Sequence, residues 1–398
     1  MKNVLFLAHR IPFPPNKGDK IRSFHVLRYL SERANIYLGC FIDDPMDQQY
    51  QSKVASFCRD SHIQALNHTV ALVRSLTGFI NGKALSFPYY YSKEMDQWVT
   101  RTLSTQKIDC VFVFSSSMAQ YIPIESFRGS KVLDFVDVDS QKWLDYASNK
   151  RFPVSQVYKR EGRKLRTAER EFADTFDTSL FVSVEEVECF KEQVHCSPRS
   201  EVLALPNGVD TTFFDPELDF EHPYEESSNI VFTGAMDYWA NVDAMTWFAH
   251  VVYPLIETPN VNLAIVGANP SKQVQNLDAL EGITVYGRVD DVRPFIAASS
   301  AVVAPLRIAR GIQNKVLEAL AMERPVVMTS GAAEGIDVSQ LRESIAVDSA
   351  KGMARAIDKV LEQGVVRAVS GREYIMRYHD WASCLDVLDE KLGLAADE

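Results

Sequence analysis

Residues 301–322 read AVVAPLRIARGIQNKVLEALAM. The apolar run 301–304 predicts a buried strand, and the good helix formers from Lys315 onward predict a short helix that ends before Pro325. A loop must therefore join the end of the strand to the start of the helix. This strand, loop and helix N-terminus are the basis of the fold and the function that we predict for the chain.

The loop and the start of the helix carry groups that suit a nucleotide. Backbone N–H groups at the helix start, together with Arg307 and Arg310, favour the binding of an anion such as a diphosphate. Lys315 and Glu318 lie three residues apart on one helix face, where the first suits phosphate oxygens and the second suits ribose hydroxyls. A solvated helix face with an exposed ion pair is the alternative interpretation of these residues.

Composition limits the class of protein. The chain has 398 residues, enough for two domains, and its 46% hydrophobic and 24% charged residues are typical of globular proteins. The net charge of −11 argues against a nucleic-acid-binding protein, which normally carries a basic domain. The six cysteines are scattered without a Cys-x-x-Cys pair, and no apolar stretch has the length of a membrane span. We therefore predict a cytoplasmic protein that begins with a strand rather than a signal peptide.

Short apolar runs alternate with helix-length amphipathic segments along the chain. The predicted strands are 3–8, 36–41, 110–114, 132–136, 179–182, 230–233, 262–266, 283–286, 301–304 and 325–328. Apolar strands separated by helices predict an α/β architecture with doubly wound parallel sheets. Glycine follows three of these strands, at Gly234, Gly267 and Gly287, and Arg288 comes next. We expect these turns to line one edge of a sheet, either as a site where a ligand approaches the backbone or as simple turns.

Two segments of the N-terminal half are candidate ligand sites. The first strand runs into a proline-rich loop that ends at Gly18 and Asp19, without the Gly-x-Gly-x-x-Gly fingerprint of an NAD enzyme. A turn glycine followed by a helix N-cap is the alternative for these two residues. The strand 132–136 leads to Asp137 and Asp139, at the end of a strand where open α/β sheets bind ligands. Such a pair also suits a divalent metal, and either residue could instead cap the next helix.

Two other segments bear on membrane contact. Residues 74–101 mix aromatic side chains with cations, which suits an interfacial face as well as a core. Residues 149–172 hold eight cations and three acids, which predicts either a solvated helix face or attraction to an anionic membrane or a phosphorylated acceptor. Peripheral membrane contact therefore stays an open alternative.

Several segments, taken in order, resemble a known family. The resemblance is to retaining glycosyltransferase family 4, and it rests on LPNGVD at 205–210, FTGAMDYWANVD at 232–243 and KVLEALAM at 315–322. These segments are similar to the family's domain junction, the opening of its donor domain and its donor-binding helix. A narrower resemblance, to bacterial exopolysaccharide sugar transferases associated with exosortase (PEP-CTERM) loci, rests on PPNKGDKIRS at 14–23, DFVDVDS at 134–140 and RIARGIQNK at 307–315.

The resemblance implies the GT-B fold, in which two Rossmann-like domains face a cleft. The acceptor would bind the N-terminal domain, predicted at 1–215, and the nucleotide-sugar donor the C-terminal domain, predicted at 229–370. The acidic, turn-rich stretch 214–228 is the predicted linker. A last helix within 371–398, centred on 371–392, would return to the N-terminal domain. The resemblance implies no metal and no cofactor, because protein cations would neutralise the leaving diphosphate.

Roles for single residues follow from their positions in these motifs. Lys315 and Arg307 would stabilise the leaving diphosphate, and Glu318 would hold the ribose. Asp137, at the place of the family's usual histidine, or its neighbour Asp139 would orient the acceptor or the sugar. The other predicted substrate-binding residues are Gly18, Asp19, Gly234, Arg288, Arg310, Gly311, Ile312, Gln313 and Asn314.

The chain departs from the family pattern on the donor side. Arg310 stands where many members have a glutamate that contacts the donor sugar, and Met236 and Ala240 stand where many have cations. Arg307 and Lys315 would then carry more of the charge that balances the diphosphate.

The predicted function is transfer of a sugar, with retention of configuration, from a nucleotide diphosphate sugar to a saccharide or lipid-linked saccharide acceptor in exopolysaccharide biosynthesis. One alternative is a nucleotide-sugar epimerase of the same fold, which would interconvert the donor without an acceptor. The other is a non-catalytic nucleotide-sugar-binding subunit, which Arg310 favours. The predicted location is the cytoplasm or the inner face of the plasma membrane, with no nucleic-acid partner.

Overall fold

The computed structural model describes residues 1–15, 17–148, 150–193, 200–224, 228–309, 311–364 and 367–394. Its strands are β1 (Asn3–Ala8), β2 (Asn35–Ile42), β3 (Asp60–Ala65), β4 (Cys110–Phe114), β5 (Ser130–Val136), β6 (Thr178–Phe181), β7 (Glu201–Ala204), β8 (Ser228–Thr233), β9 (Val261–Val266), β10 (Ile283–Gly287), β11 (Ala301–Ala304), β12 (Val326–Met328) and β13 (Ile345–Ala346).

The α-helices lie mainly between these strands. They are α1 (Gly18–Ser31), α2 (Gln51–Ala55), α3 (His68–Ser75), α4 (Thr77–Asn81), α5 (Ser86–Tyr89), α6 (Lys93–Thr105), α7 (Asp139–Ser148), α8 (Val154–Thr175), α9 (Val184–Gln193), α10 (Trp239–Trp247), α11 (Lys272–Gln275), α12 (Arg293–Ala297), α13 (Asn314–Ala321), α14 (Ala350–Glu362), α15 (Val369–Tyr378), α16 (Trp381–Leu385) and α17 (Val387–Lys391). No helix in the described ranges is long and apolar enough to cross a bilayer.

Each half of the chain builds one sheet. The first has the strand order β3-β2-β1-β4-β5-β6-β7 and the second has the order β10-β9-β8-β11-β12-β13. Neighbouring strands pair in parallel throughout both sheets. All the predicted strands occur, with small shifts at their ends. The predicted α/β architecture with parallel sheets is therefore confirmed.

The strands that sequence analysis missed are all at the edge of a sheet. They are β3, β7 and β13, each the last strand on one side. Their residues are half-buried or exposed, whereas the central strands are buried almost throughout. A strand that is open to solvent along one edge does not need a continuous apolar run, so its sequence lacks the signal on which the prediction relied.

Contacts divide the chain into two units. The first comprises Met1–Pro206 with Leu385–Glu398, and the second comprises Asn207–Cys384. The division falls before the predicted linker at 214–228. Phe214, Phe220 and Tyr224 of that stretch pack against the core of the second unit. Tyr224 Oη also donates a hydrogen bond to Phe295 O at 2.8 Å. Aromatic burial therefore attaches the described part of the stretch to the second unit.

The C-terminal region is not the single helix over 371–392 that was predicted. It consists of α15, α16 and α17, with a break around His379 and Asp380. At the break the backbone bonds to Val209 instead of continuing the helix, since Val209 N donates to His379 O at 2.7 Å and Trp381 N donates to Val209 O at 3.3 Å. The helical spacing of apolar residues, on which the prediction relied, carries no information about hydrogen bonds to a residue so far away in the sequence.

Helix α1 brings a charge into the core of the first unit. Arg22 and Asp134 are both fully buried. Arg22 Nε donates to Asp134 Oδ2 at 2.7 Å, Nη2 donates to Oδ1 at 3.1 Å, and Nη1 donates to Leu205 O at 2.6 Å. Burial raises the pKa of Asp134, while the guanidinium opposes that shift. One side chain thus ties α1 to the carboxyl ends of β5 and β7.

Removal of one member of this pair should destabilise the protein strongly, because the other charge would be left buried. We expect Asp134→Ala to lower the free energy of unfolding by about 3–5 kcal/mol. The double variant Arg22→Met/Asp134→Leu should recover most of that loss, since it leaves no unpaired charge. Chemical denaturation measures both values.

The exposed pair of Arg33 and Glu32 provides the control. Glu32→Ala should change the free energy of unfolding by less than about 1 kcal/mol. If Asp134→Ala lowered the free energy of unfolding as little as the control does, the buried pair would not be important for the stability of the first unit.

Candidate functional site

The carboxyl ends of β8, β9 and β10 form an edge lined by glycine, as the sequence predicted. Gly234 and Gly267 have φ values of 152° and 158°. The two backbones lie so close that a Cβ on Gly267 would be 1.6 Å from Gly234 O. Gly267 N also donates to Gly287 O at 2.8 Å, which joins the third turn to the other two. Because the sheet is parallel, the loop after β11 reaches the same edge.

Lys315 on α13 points at this edge. Its Nζ donates a hydrogen bond to Asn241 Oδ1 at 2.9 Å and lies 4.6 Å from the centre of the Phe232 ring. A Cβ on Gly234 would be 3.4 Å from Nζ, so a side chain there would crowd the ammonium group. Burial lowers the pKa of Lys315 to about 8, and Glu318 offsets part of that shift.

Glu318 lies one helical turn after Lys315. Burial raises its pKa to about 7, and the nearby ammonium group opposes this effect. Among the hydrogen bonds of the described residues, none is donated to its carboxylate. Lys315 and Glu318 are therefore neighbours, as predicted. Both side chains are half-buried, and the described residues give them few hydrogen-bond partners. This arrangement favours a polar ligand that would bring its own donors and negative charge.

The start of α13 is open to an anion. Its N-cap, Gln313, makes no side-chain capping bond, and Gln313 Nε2 instead donates to Gly311 O at 2.8 Å. The N–H group of Gly311, which was predicted to bind the donor, donates to Glu334 Oε2 at 2.9 Å. Ile312 packs against the core of the second unit. The N–H groups of Val316 and Leu317 donate to Gln313 O at 2.9 and 3.3 Å. Those of Asn314 and Lys315 make no hydrogen bond with the described residues and suit a phosphate oxygen.

Arg307 does not share a partner with Lys315. Its Nε and Nη2 donate to the two oxygens of Asp243 at 3.1 and 2.5 Å. Asp243 and the Lys315 partner Asn241 are two residues apart on α10, a spacing at which side chains do not face each other. The expected convergence of the two cations is therefore not seen in this structure. Arg288 is exposed just after β10, and Arg310 lies outside the described residues.

In the first unit, Asp137 and Asp139 follow β5 as predicted. Val136 adopts φ 70°, which costs of order 1–3 kcal/mol for such a residue and turns the chain sharply. Asp137 pairs with Lys142, whose Nζ lies 3.0 Å from its Oδ2. Asp139 is the first residue of α7, and burial raises its pKa to about 6 against the opposing effect of Lys142 and His9. Of the two carboxylates, Asp139 is the one suited to exchange a proton near neutral pH.

Gly18 and Asp19 start α1. Gly18 is its first residue and does not have a positive φ, so the left-handed turn that a glycine would allow is absent at this position. The N-cap is Lys17, so the interpretation of Asp19 as an N-cap is wrong. Asp19 Oδ2 instead accepts a hydrogen bond from Arg10 Nη1 at 2.7 Å. Hydrogen bonds and charge from His9 and Arg10 hold the pKa of Asp19 well below its usual range despite its burial.

Two residues of these sites were not predicted as functional. His9 follows β1, stacks on Phe114 with ring centres 5.7 Å apart, and places Nε2 3.5 Å from Asp19 Oδ2. Its buried Nδ1 has no hydrogen-bond partner. Asn241 holds Lys315 and also donates to Ala235 O at 2.9 Å. His9 follows a strand, the same signal that identified Asp137, whereas Asn241 has no local signal and is revealed by packing alone.

A metal centre finds no support in these contacts. The described residues contain no group of three or more His, Cys, Asp or Glu side chains that could hold a metal ion. Asp137, half of the predicted Asp-x-Asp candidate, is instead paired with Lys142. Asp137 therefore takes part in an ion pair, and burial raises the pKa of Asp139.

Part of the chain is similar in sequence to a known family. Residues 227–363 match the family model described as Glycosyl transferases group 1. No curated protein sequence matches the chain. The matched residues lie within the second unit and include α13 and the glycine-lined edge.

Solved structures resemble the chain over its full length. Sucrose-phosphate synthase from Thermosynechococcus elongatus is 13% identical with a TM-score of 0.69, and 100% of each chain is covered. HepE from Anabaena in complex with UDP is 13% identical with a TM-score of 0.67, and 99% of this chain and 100% of that chain are covered. A glycosyltransferase from Rickettsia africae is 13% identical with a TM-score of 0.66, covering 100% and 99%. At this identity the likeness shows the fold, which is the predicted GT-B fold.

The raised pKa of Asp139 makes its charge a cost to the folded protein. The unfolded chain ionises this group above pH about 4, whereas the folded chain does so only above pH about 6. The destabilisation is therefore absent below pH about 4, grows between the two pKa values and is complete above the folded one. Asp139→Asn should raise the free energy of unfolding by about 1–3 kcal/mol at pH 8 and much less at pH 4.

Asp145 lies on the exposed side of the same helix. Asp145→Asn should not give a pH-dependent increase in the free energy of unfolding. Denaturation curves of both variants at the two pH values make the comparison. An equal gain for Asp139→Asn at both pH values would refute the ionisation account.

Proposed function

We propose that this protein transfers a sugar, with retention of configuration, from a nucleotide diphosphate sugar to a saccharide or lipid-linked saccharide acceptor. The observation that carries the proposal is the desolvated ammonium group of Lys315, which lies beside the uncapped start of α13 with one hydrogen-bond acceptor, Asn241. A diphosphate supplies the missing negative charge and accepts the free donors of this helix start.

The comparisons support a nucleotide-sugar donor. The group 1 glycosyl transferase match covers α13 and the glycine-lined edge. HepE, which has the same fold, has been solved with UDP and with UDP-glucose. We infer that the diphosphate binds at the start of α13 and that the ribose hydroxyls donate to Glu318, whose carboxylate lies one turn along the same helix.

The reaction breaks the bond between the anomeric carbon and the diphosphate oxygen and forms a bond between that carbon and the acceptor oxygen. The acceptor proton passes to the departing diphosphate, which leaves as the nucleoside diphosphate. Lys315 and the N–H groups at the start of α13 stabilise the charge that develops on the leaving group. This route uses no covalent nucleophile and no metal ion.

Other residues are assigned supporting roles. Arg307 holds Asp243 in the free protein, and we infer that it turns to the diphosphate when the donor binds. In the first unit, we assign to Asp139 the role of orienting an acceptor hydroxyl. Because its pKa is raised to about 6, its carboxyl group can either donate or accept a hydrogen bond near neutral pH. The resemblance of segments 14–23, 134–140 and 307–315 to exopolysaccharide sugar transferases supports a role in that pathway.

Loss of the Lys315 charge should impair both binding and transfer. We expect Lys315→Met to slow transfer by a factor on the order of 10²–10³, as for other groups that stabilise a developing negative charge. Transfer is measured as release of nucleoside diphosphate from UDP-, GDP- and ADP-sugars in EDTA, with saccharide acceptors present. Lys351→Met, which removes an exposed lysine on α14, should retain the wild-type rate.

Three outcomes would contradict the proposal. Transfer by Lys315→Met at the wild-type rate would remove the assigned role of the ammonium group. Interconversion of the donor without an acceptor would identify an epimerase. Stabilisation by a nucleotide sugar without turnover over the whole acceptor panel would identify a binding subunit.

Nucleotide affinity should fall as the pH rises through the pKa of Lys315. This pKa is about 8 in the free protein, and a bound diphosphate favours the charged form, so binding takes up a proton above that pH. Between pH 7 and 9 the dissociation constant should increase by about tenfold. Calorimetric titration with UDP, GDP or ADP measures this change.

Lys315→Met is the matched control for this pH series, because it binds the same nucleotide without the titrating group. Its dissociation constant should be larger than that of the wild type but nearly independent of pH over the same range. The same pH dependence in the wild type and in Lys315→Met would assign the proton to another group.

A further inference from the structure

The first unit exposes a large apolar surface that the candidate sites do not use. Its side chains belong to α3, α4 and the residue between them, and their exposed fractions run from 45% for Phe79 to 90% for Ile80. The exposed apolar residues are Val70, Leu72, Val73, Leu76, Phe79 and Ile80. Single exposed apolar side chains are common, but a continuous group of this size indicates an interaction surface.

Cations border this apolar surface, and acids are absent from its segment. Residues 61–93 contain no Asp or Glu. Helix α8 lies against α4, where Arg160 Nη2 donates to Gly78 O at 2.6 Å and the Arg160 guanidinium lies 4.7 Å from the centre of the Phe79 ring. Lys164 Nζ is near Gly82, since a Cβ on that glycine would be 3.8 Å from it.

Along most of α8 the structure buries the acids and exposes the cations, whereas Glu171 and Asp174 in its last turn are exposed. Glu161 is buried and accepts bonds from Leu85 N at 2.7 Å and Ser86 N at 3.1 Å. Glu169 is also buried and accepts a bond from Ser140 N at 2.9 Å. Between 156 and 170 the exposed charged side chains are all cations: Lys159, Arg163, Lys164 and Arg170. The outward face is therefore more positive than the sequence count for this segment suggests.

We propose that this surface docks on an anionic lipid bilayer. The apolar side chains of α3 and α4 insert at the boundary between headgroups and acyl chains, and the exposed cations of α8 contact the phosphates of the headgroups. Apolar anchoring beside a cationic helix fits this partner in both polarity and charge, in a chain whose net charge is −11.

A second copy of the chain fits this surface less well. A symmetric dimer would place the same patch on both sides of the interface. The cations of α8 would then border the cations of the partner, and the segment 61–93 offers no acid to compensate them. The bilayer is therefore the occupant that the charges favour. The inference uses only this surface and is independent of the proposed glycosyl transfer.

Flotation of the full chain with lipid vesicles tests the proposal. The wild type should bind vesicles that contain phosphatidylglycerol and should bind much less to pure phosphatidylcholine, with a loss of binding at high salt. Arg163→Gln/Lys164→Gln should weaken the binding by about thirtyfold, from the typical contribution of two cations near a membrane surface. Leu76→Ser/Ile80→Ser should weaken it by roughly tenfold or more.

Matched controls lie in the second unit. Lys351→Gln/Arg355→Gln removes two exposed cations four residues apart on α14, and Val369→Ser/Met376→Ser removes two exposed apolar side chains of α15. Both controls should bind vesicles as the wild type does. Thermal stabilisation by nucleoside diphosphate should be the same in all four variants, so a failure here is distinct from a failure of the proposed function.

Several results would overturn the proposal. One is equal binding of the wild type to anionic and neutral vesicles, or no binding to either. Another is an equal loss in the α14 and α15 controls. A third is a wild-type dimer in analytical ultracentrifugation that becomes a monomer in Leu76→Ser/Ile80→Ser, which would make a second copy of the chain the occupant.

Discussion

A half-buried ammonium group with few hydrogen-bond acceptors is the constraint on which the proposed donor site depends. Lys315 has three N–H donors, and the described residues offer it one hydrogen-bond acceptor, Asn241 Oδ1. Burial has already moved its pKa towards neutrality, and Glu318 compensates only in part. A glycine at position 234 leaves room beside the group, and the uncapped start of α13 adds positive potential. In the proposed function, the donor diphosphate would supply the acceptors that the described residues do not offer to this group.

Two cations in the core of the first unit differ from Lys315, because each forms an ion pair with a buried carboxylate. Arg22 and Lys20 in the first unit are 0% and 2% exposed, and each has a carboxylate partner at 2.7 Å, Asp134 and Asp47 respectively. These pairs hold α1 in place and need no ligand. A paired buried ion supports the fold, whereas a charge with few partners is a candidate for a functional site. Asp139 belongs to the second kind, since burial leaves its carboxyl group with a pKa near neutrality.

Sequence alone predicted the parts of the structure that rest on local pattern. The central strands are buried on both faces, so their continuous apolar runs identified them as strands. The edge strands β3, β7 and β13 lack such runs and were not predicted. The glycine turns and the Lys315–Glu318 spacing were predictable for the same reason, because each is a local feature. Contacts between residues that are distant in sequence were missed. Among them are the hydrogen bond from Lys315 to Asn241 and the ion pair of Arg307 with Asp243. The break at His379 likewise depends on bonds to Val209, far away in the chain.

The most direct test of the central claim is a crystal structure of the chain with the nucleoside diphosphate that stabilises it. The account predicts that Lys315 Nζ and the first N–H groups of α13 lie at hydrogen-bond distance, about 3 Å, from the diphosphate oxygens. The ribose hydroxyls should contact Glu318 in the same complex. A diphosphate bound elsewhere, for example near Asp137 and Asp139 through a metal ion, with Lys315 still bonded to Asn241 alone, would contradict the account.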